Sequence, residues 1–362
     1  MRLLVLAHGP SVHTRRWIKA LAARGHALRL LTAHAMPDPV VPVQVVGWPL
    51  PWSALRYPSA CGAVRAELRA FRPDVIVAHF LPNYGFLAAL AGARPLLLVC
   101  WGSDLLLNAT RTPFHRARAR FTLGRADLIH VDARVLADAA CRLGAPPGRV
   151  WTRAWGVDTD ALRPAGAWAA RRGGAGVPLR VLSTRMLEPL YDPESLLLAL
   201  GLLARRGVAY EATLAGDGPL RPALESFARR EGIADRVRFV GWVEEERLRA
   251  LLREHHVYVS LSRSDSTSQS LLEAMAAGLL PVVSDIAGNR EWVTHRRSGF
   301  LVPTGDPEAV AAALAESAAS AAAGAMADTA RVVAADRASL AAMLDELERR
   351  LAALAGDREG AP

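Results

Sequence analysis

The sequence predicts an α/β protein made of two doubly wound parallel-sheet domains. Two observations carry this expectation. Short apolar runs alternate with helical stretches along most of the chain, and the alternation restarts after an interval at 158–178 rich in Gly, Pro, Ala and Arg. Apolar strands placed between helices suit a parallel sheet covered on both faces. With 362 residues the chain can bury a separate core in each half.

Taken in order, residues 2–7 read as a first strand, 14–23 as a helix stopped by Gly25, and 27–32 as a second strand. Further strands fall at 74–79, 95–100, 127–131 and 150–154, with helical stretches between several of them. This gives a first domain over 1–157 and a linker over 158–178. The second domain, 179–306, opens with a strand at 179–184 and a helix at 193–205. Strands at 210–215, 237–240, 257–261 and 281–284 then alternate with helices at 219–231, 244–253 and 268–277. From Pro307 the chain is Ala-rich and helical to about Leu354. The stretch 318–327 is of low complexity, and Leu340, Leu344, Leu347 and Leu351 keep the spacing of a packed helix. Residues 307–362 are expected to pack back toward the first domain.

Composition narrows the function. The formal charge is +9, and the basic residues are almost all Arg, Lys19 being the one lysine. A genomic preference for Arg accounts for part of this; attraction to phosphates or to an anionic membrane face is the functional alternative. The densest basic stretch is 111–125, on an expected helix. No helix-turn-helix, zinc-finger or RRM pattern accompanies the charge, so no nucleic acid partner is expected. Cys61, Cys100 and Cys141 lack the spacing of a zinc site and suit a reducing compartment. The opening MRLLVLAHGP reads as a strand and not as a signal peptide, and no apolar run reaches bilayer length. A cytoplasmic protein, peripheral at the inner membrane face, is the expectation.

The stretch SRSDSTSQSLLEAMAAGLLPVVSDIAGNREWV (262–293) carries the most chemistry. A strand ends at Leu261, a loop follows, Ser268 or a neighbouring hydroxyl can cap a helix, and Gly278 can stop it. The N–H groups near Ser270, Leu271 and Leu272 can then hold phosphate oxygens. Glu273, in the first turns, can accept hydrogen bonds from a ribose diol, and Asp265, in the loop, can reach a sugar. Alone, Glu273 reads equally as compensation of the helix dipole and Asp265 as a turn residue; the frame that holds them together favours the functional reading. Arg185, after the first strand of the second domain, can grip a diphosphate through its planar fork, or pair on the surface with Glu188.

This block resembles the signature of the family 4 retaining glycosyltransferases of the GT-B fold: two acidic residues separated by seven others, then LEAMA-x-G-x-P-V-V. The resemblance extends over nearly the whole chain, through Arg24-Gly25-His26, Trp155-Gly156-Val157-Asp158, Ala215-Gly216-Asp217-Gly218-Pro219 and Phe239-Val240-Gly241-Trp242-Val243. It implies two Rossmann-like doubly wound domains facing a central cleft. The chain departs from the family at several points. Asp265 stands where Glu is usual, Ser266-Thr267-Ser268 replaces Gly-Phe-Gly, and Leu190, followed by Tyr191, occupies the place of a Lys that normally partners Arg185.

The resemblance further implies that His79, at a strand's carboxyl end, lies near the reacting centre, although a lone His is also an ordinary loop residue. Gly9, in a first loop where His8 replaces a Gly, Gly216 and Val243 would line the donor, with Glu291 supporting its pocket. Glu291 reads equally as a first-turn residue stabilising its own helix. Trp101 and Asp104, in a Trp-Gly-Ser-Asp that replaces His-Gly-Ser-Asp, would line the acceptor side; Asp104 also suits a helix N-cap. Acceptor choice would fall to loops at 49–57, 81–85 and 111–120. The expected activity is metal-independent transfer, without a cofactor, of a hexose-type sugar from a UDP-linked donor to a polysaccharide or lipid-linked acceptor. His79, Asp265 and Arg185 would be the catalytic group. A non-catalytic nucleotide-sugar-binding subunit of the same fold and a nucleotide-sugar epimerase are the alternatives. A nicotinamide-linked oxidoreductase is disfavoured, since no G-x-G-x-x-G follows the first strand.

Overall fold

The computed structural model describes residues 1–36, 38–46, 56–164, 166, 168–172 and 176–359. Of the expected acceptor loop at 49–57, residues 49–55 therefore lie outside the described residues. The chain divides into two units, Met1–Arg153 with Leu344–Pro362, and Ala154–Met343.

The first unit runs β1 (Arg2–Leu6), α1 (Val12–Ala23), β2 (Ala27–Thr32), β3 (Val43–Val45), α2 (Arg56–Phe71), β4 (Val75–His79), α3 (Phe86–Ala91) and β5 (Leu96–Val99). It continues with α4 (Pro113–Arg125), β6 (Leu128–Val131), α5 (Arg134–Arg142) and β7 (Val150–Thr152). The second unit holds α6 (Trp168–Arg172), β8 (Leu179–Ser183), α7 (Pro193–Arg205), β9 (Tyr210–Leu214), α8 (Arg221–Arg230) and β10 (Val237–Phe239). There follow α9 (Glu245–Glu254), β11 (Val257–Ser260), α10 (Gln269–Ala276), β12 (Leu280–Ser284), α11 (Ala287–Arg290), β13 (Phe300–Val302), α12 (Pro307–Ala319) and α13 (Ala322–Arg337). Helix α14 (Leu340–Glu359) begins in the second unit and continues into the first.

Among the described residues each unit forms one sheet, ordered β3-β2-β1-β4-β5-β6-β7 and β10-β9-β8-β11-β12-β13, with every pairing parallel. The strands at the centre are apolar on both faces, and β4 and β5 are buried along their length, as a sheet packed by helices on both sides requires. Strand order reverses between β1 and β4 in the first unit and between β8 and β11 in the second. At such a switch point the loops from neighbouring carboxyl ends diverge and leave a crevice for ligand.

Two sequence expectations are corrected. The interval 158–178 is not a bare linker: Leu162 and Trp168 are buried in the second unit, and the Trp168 indole donates to the His256 carbonyl at 2.9 Å. The low-complexity stretch at 318–327 keeps its helical reading: it is mostly helix and buries Ala323 and Ala327 among Leu and Val side chains. The segment 307–362 does not act as one piece, because α12 and α13 belong to the second unit and only Leu344 onward to the first. There Arg24 reaches Asp345 and Glu348 at 2.6 and 2.8 Å, and Trp151 donates to Glu346 at 2.7 Å.

No single helix among the described residues is long and apolar enough to cross a membrane. The pair α12 and α13 reaches that length and composition together, but it is bent by 104° and contributes Val310, Leu314 and Met326 to the second unit's core.

Candidate active site

In the second unit the switch point is framed by two loops, the one after β8 and the one joining β11 to α10. Ser268 caps α10, its hydroxyl accepting the Leu271 N–H at 3.3 Å, an arrangement worth about 1 kcal/mol to a helix. The Ser268 carbonyl takes the Leu272 N–H at 3.1 Å. Of the three N–H groups expected to hold phosphate, those of Leu271 and Leu272 are thus engaged within the chain, and both side chains are buried. Ser270 alone of the three has an N–H for which no acceptor within the chain is seen among the described residues. Glu273 follows on the same helix and is buried.

Arg185 comes from the loop after β8 and lies against this helix start. One terminal nitrogen donates to Ser268 Oγ at 2.8 Å and Ser270 Oγ at 3.3 Å, the other to Asp265 Oδ2 at 2.8 Å. The Tyr191 ring covers the guanidinium, 4.2 Å from its centroid. Tyr258 and Ser270 share a hydrogen bond of 2.7 Å behind it. Burial opposes the arginine's charge, but the Asp265 carboxylate, Tyr258 and Tyr191 outweigh it and raise the pKa of Arg185. Arg185 pairs with Asp265 and not with Glu188, so the surface-pair alternative does not hold.

The neighbouring loops are held by contacts the sequence pattern does not show. A Cβ on Gly216 would meet the Arg185 carbonyl oxygen at 2.2 Å, so the close backbone approach expected of Gly216 is made to the loop that carries Arg185. A Cβ on Gly288 would meet the Ser266 carbonyl oxygen at 1.8 Å, and the Trp292 indole donates to Thr267 Oγ1 at 3.2 Å, fixing the loop from its other side. Glu291 sits at the carboxyl end of α11, not in its first turn, so support of its own helix dipole is removed as an account of it. Val243 is half-buried beside Trp242, which is 62% exposed and which the sequence reading passed over.

In the first unit His79 ends β4 and is buried, its ring 5.0 Å from that of Trp17 and 5.4 Å from that of Trp101. His13 lies 4.8 Å from the Trp101 ring. Burial, with His130 and His13 nearby, lowers the pKa of His79 to about 3, so its imidazole is neutral at neutral pH. The Gly9 N–H is taken by Thr32 Oγ1 at 3.0 Å and is not open to a phosphate. Asp104 is also corrected: it is fully buried and accepts N–H groups from Leu81, Trp101, Gly102 and Leu105 at 3.0–3.1 Å. It ties the loop after β5 to the chain after β4 and presents nothing to an acceptor. Burial raises its pKa to about 6 against the pull of those four donors. In the same loop Trp101 stays partly exposed and Ser103 is exposed.

Two parallel-sheet Rossmann-like units, each with its polar side chains at a switch point, define a protein of the GT-B class. The comparisons agree. Residues 181–320 match the family model described as glycosyl transferases group 1, and residues 8–156 the one described as glycosyl transferase 4-like domain. The chain belongs to the group 1 glycosyltransferases.

Among curated relatives, D-inositol 3-phosphate glycosyltransferase of Streptomyces scabiei is 31% identical over 266 residues, which span 67% of this chain and 59% of the relative. The amylovoran biosynthesis glycosyltransferase AmsK of Erwinia amylovora is 26% identical over 264 residues, 69% of this chain and 63% of the relative. The matched region thus spans less than two thirds of the length of these relatives. Among solved structures, Anabaena Alr3699/HepE in complex with UDP superposes with a TM-score of 0.82 at 17% identity, over 98% of this chain and 100% of that one. Sucrose-phosphate synthase from Thermosynechococcus elongatus does so at 0.78 and 18%, over 98% and 99%. At these identities the superpositions show the fold.

Proposed function

We propose that the chain transfers a hexose-type sugar from a UDP-linked donor to a hydroxyl acceptor, with retention at the anomeric carbon and without a metal ion. The observation that carries this reading is Arg185 seated against the capped start of α10, with Glu273 on the same helix, at the switch point of the second sheet. A planar cation beside a helix N-terminus suits a diphosphate whose charge grows as the sugar departs. Glu273 suits the ribose diol, and the exposed Trp242 ring beside Val243 offers a face for the base. Asp265 would receive donor hydroxyls. The choice of UDP draws on Alr3699/HepE, solved with UDP-glucose. His79, neutral and held by two indoles, would position reacting groups by hydrogen bonding and not by charge. With no enzymic nucleophile assigned, front-face attack with the leaving phosphate taking the acceptor proton is the mechanism proposed.

For the acceptor we favour a polysaccharide or lipid-linked intermediate met in the cytoplasm at an anionic membrane face. Helix α4 and the residues ahead of it support the membrane contact: Arg111, before the helix, and Arg116, Arg120 and Arg125, on it, are exposed, Phe114 is 66% exposed, and no acidic residue occurs between Leu105 and Arg125.

The test is turnover of purified protein with a panel of nucleotide sugars and acceptors, with and without EDTA. Transfer that survives chelation and keeps the donor's anomeric configuration supports the reading; loss of all turnover on chelation removes the metal-free mechanism. A second reading, a non-catalytic subunit that binds nucleotide sugar, is favoured by Leu190 and by the neutralised Arg185–Asp265 pair. Nucleotide binding in calorimetry without turnover over a wide acceptor panel would establish it.

A further inference from the structure

The points at which the second unit departs from the usual family pattern converge on one guanidinium. Ser268, in place of a Gly, accepts from Arg185; Asp265, one methylene shorter than Glu, pairs with it; Tyr191, next to the Leu that replaces a Lys, stacks on it. The Leu190 carbonyl also accepts the Arg263 N–H at 2.9 Å, tying the Tyr191 turn to the Asp265 loop. The charge on the fork is therefore met from within the chain. Three donor contacts from the two terminal nitrogens are spent on Ser268, Ser270 and Asp265, while Nε is buried with no partner among the described residues. The pair is largely desolvated, with the two side chains 15% and 20% exposed. Asp265 is further held by the Ser266 N–H, which donates to its Oδ1 at 3.0 Å.

We infer that Asp265 is a latch on Arg185: it holds the guanidinium while the site is empty, and a nucleoside diphosphate must displace it to gain the fork. This inference rests on the donor-site reading above and names how that site is regulated. A diphosphate cannot take the terminal nitrogens while a carboxylate occupies them, because like charges would share one cation in a dry site. Displacement frees the Asp265 carboxylate, and a sugar hydroxyl on the same donor is then its nearest compensation. The two halves of the donor are thereby coupled. UDP alone breaks the pair without replacing it, whereas UDP-sugar breaks it and returns a hydrogen-bond partner to the carboxylate. A site with Arg and Lys and no paired acid would lack this discrimination.

Isothermal titration with UDP and with UDP-glucose, on the wild type and on Asp265→Asn, Glu273→Gln and the double variant R185Q/D265N, tests the latch. The wild type should bind UDP-glucose at least tenfold more tightly than UDP. D265N should bind UDP at least tenfold more tightly than the wild type and lose most of the preference for the sugar-bearing ligand. In R185Q/D265N the gain should vanish, since it runs through Arg185. Thermal melts of each variant establish that it is folded, and a D265N chain that melts earlier but is shifted further upward by UDP supports the latch independently. Equal or weaker UDP binding by D265N, or a gain that persists in the double variant, overturns the latch. No UDP binding by the wild type, or an affinity that E273Q leaves unchanged, overturns the donor-site reading and the latch with it.

Discussion

The Tyr191 ring lies 4.2 Å over the Arg185 guanidinium, from a turn joined by main chain to the loop that carries Asp265. The ring holds the fork flat against the start of α10 at a place where a second cation is missing. A cation–π contact of this kind contributes about 0.5–2 kcal/mol. Tyr191→Ala should therefore weaken UDP binding by roughly two- to thirtyfold, a range that follows from that energy. Tyr191→Phe, which keeps the ring, should bind UDP as the wild type does. Calorimetry on the two variants checks this; equal losses would assign the effect to the hydroxyl and not to the stacked face.

Gly216 acts on the same arginine through its main chain. A methyl group there would lie 2.2 Å from the Arg185 carbonyl oxygen, so either the loop after β9 or the strand end must move. Gly216→Ala should destabilise the fold by about 1–3 kcal/mol, as overpacking does, and should weaken UDP binding as well. Gly62→Ala, in α2 with nothing within 4 Å of the added group, serves as control. It should be neutral or stabilising, by up to about 1 kcal/mol. Chemical denaturation of both variants, followed by UDP titration, makes the comparison.

Acid stability should be set in part by two histidines of the first unit. Burial lowers the pKa of His79 to about 3 and that of His130 to about 4, against an ordinary value of 6.5. In the folded chain both stay neutral where the unfolded chain would protonate them. Their contribution is thus complete above pH 6.5 and is lost progressively as pH falls toward 4 and 3. His79→Asn removes one of these sites, so its unfolding free energy should fall less steeply between pH 6.5 and 4 than that of the wild type. Denaturant titrations at several pH values give the slopes, and parallel slopes would refute the assignment. The pH–rate profile should likewise show no step near 6.5 from His79.

The face of α4 should bind anionic lipid. On the helix Phe114 is 66% exposed and Arg116, Arg120 and Arg125 are exposed, and ahead of it Leu107 is 49% exposed and Arg111 is exposed. The wild type should float with vesicles containing phosphatidylserine at low salt and stay behind with neutral vesicles, since the attraction is screened within about 8–10 Å at physiological salt. Phe114→Ser and the pair R116E/R120E should each reduce flotation severalfold. Absence of flotation by the wild type would remove the membrane from the proposal.

Much of the fold could be read from the sequence because its signals are local. Residues 3–6 and 75–78 are unbroken apolar runs, and α10 is bounded by a capping Ser268 and a stopping Gly278. Strands β3 and β13 were not foreseen; three residues are too few to show a period. Helix α6 escaped because Gly, Ala and Arg dominate its surroundings, and what places it is the burial of Trp168 in a core built from distant strands. In the site, Arg185, Asp265 and Glu273 could be picked out by type and spacing. That Arg185 and Asp265 hold each other could not, since eighty positions separate them. The same holds for Asp104, whose four donors come from two separate loops and turn an apparent surface acid into an interior one.

The return of Leu344–Pro362 to the first unit bears on how the chain matures. During synthesis the whole first sheet emerges before the segment that anchors Trp151, Arg24 and His26 through Glu346 and Glu348. The second unit is contiguous and can finish while the first still waits for its last helix. A nascent chain released early, or trimmed ahead of Leu344, would therefore keep a sound second unit and a first unit that is incomplete. Limited proteolysis within α14 should expose the first unit to digestion before the second, although the cut lies far in sequence from the strands it exposes.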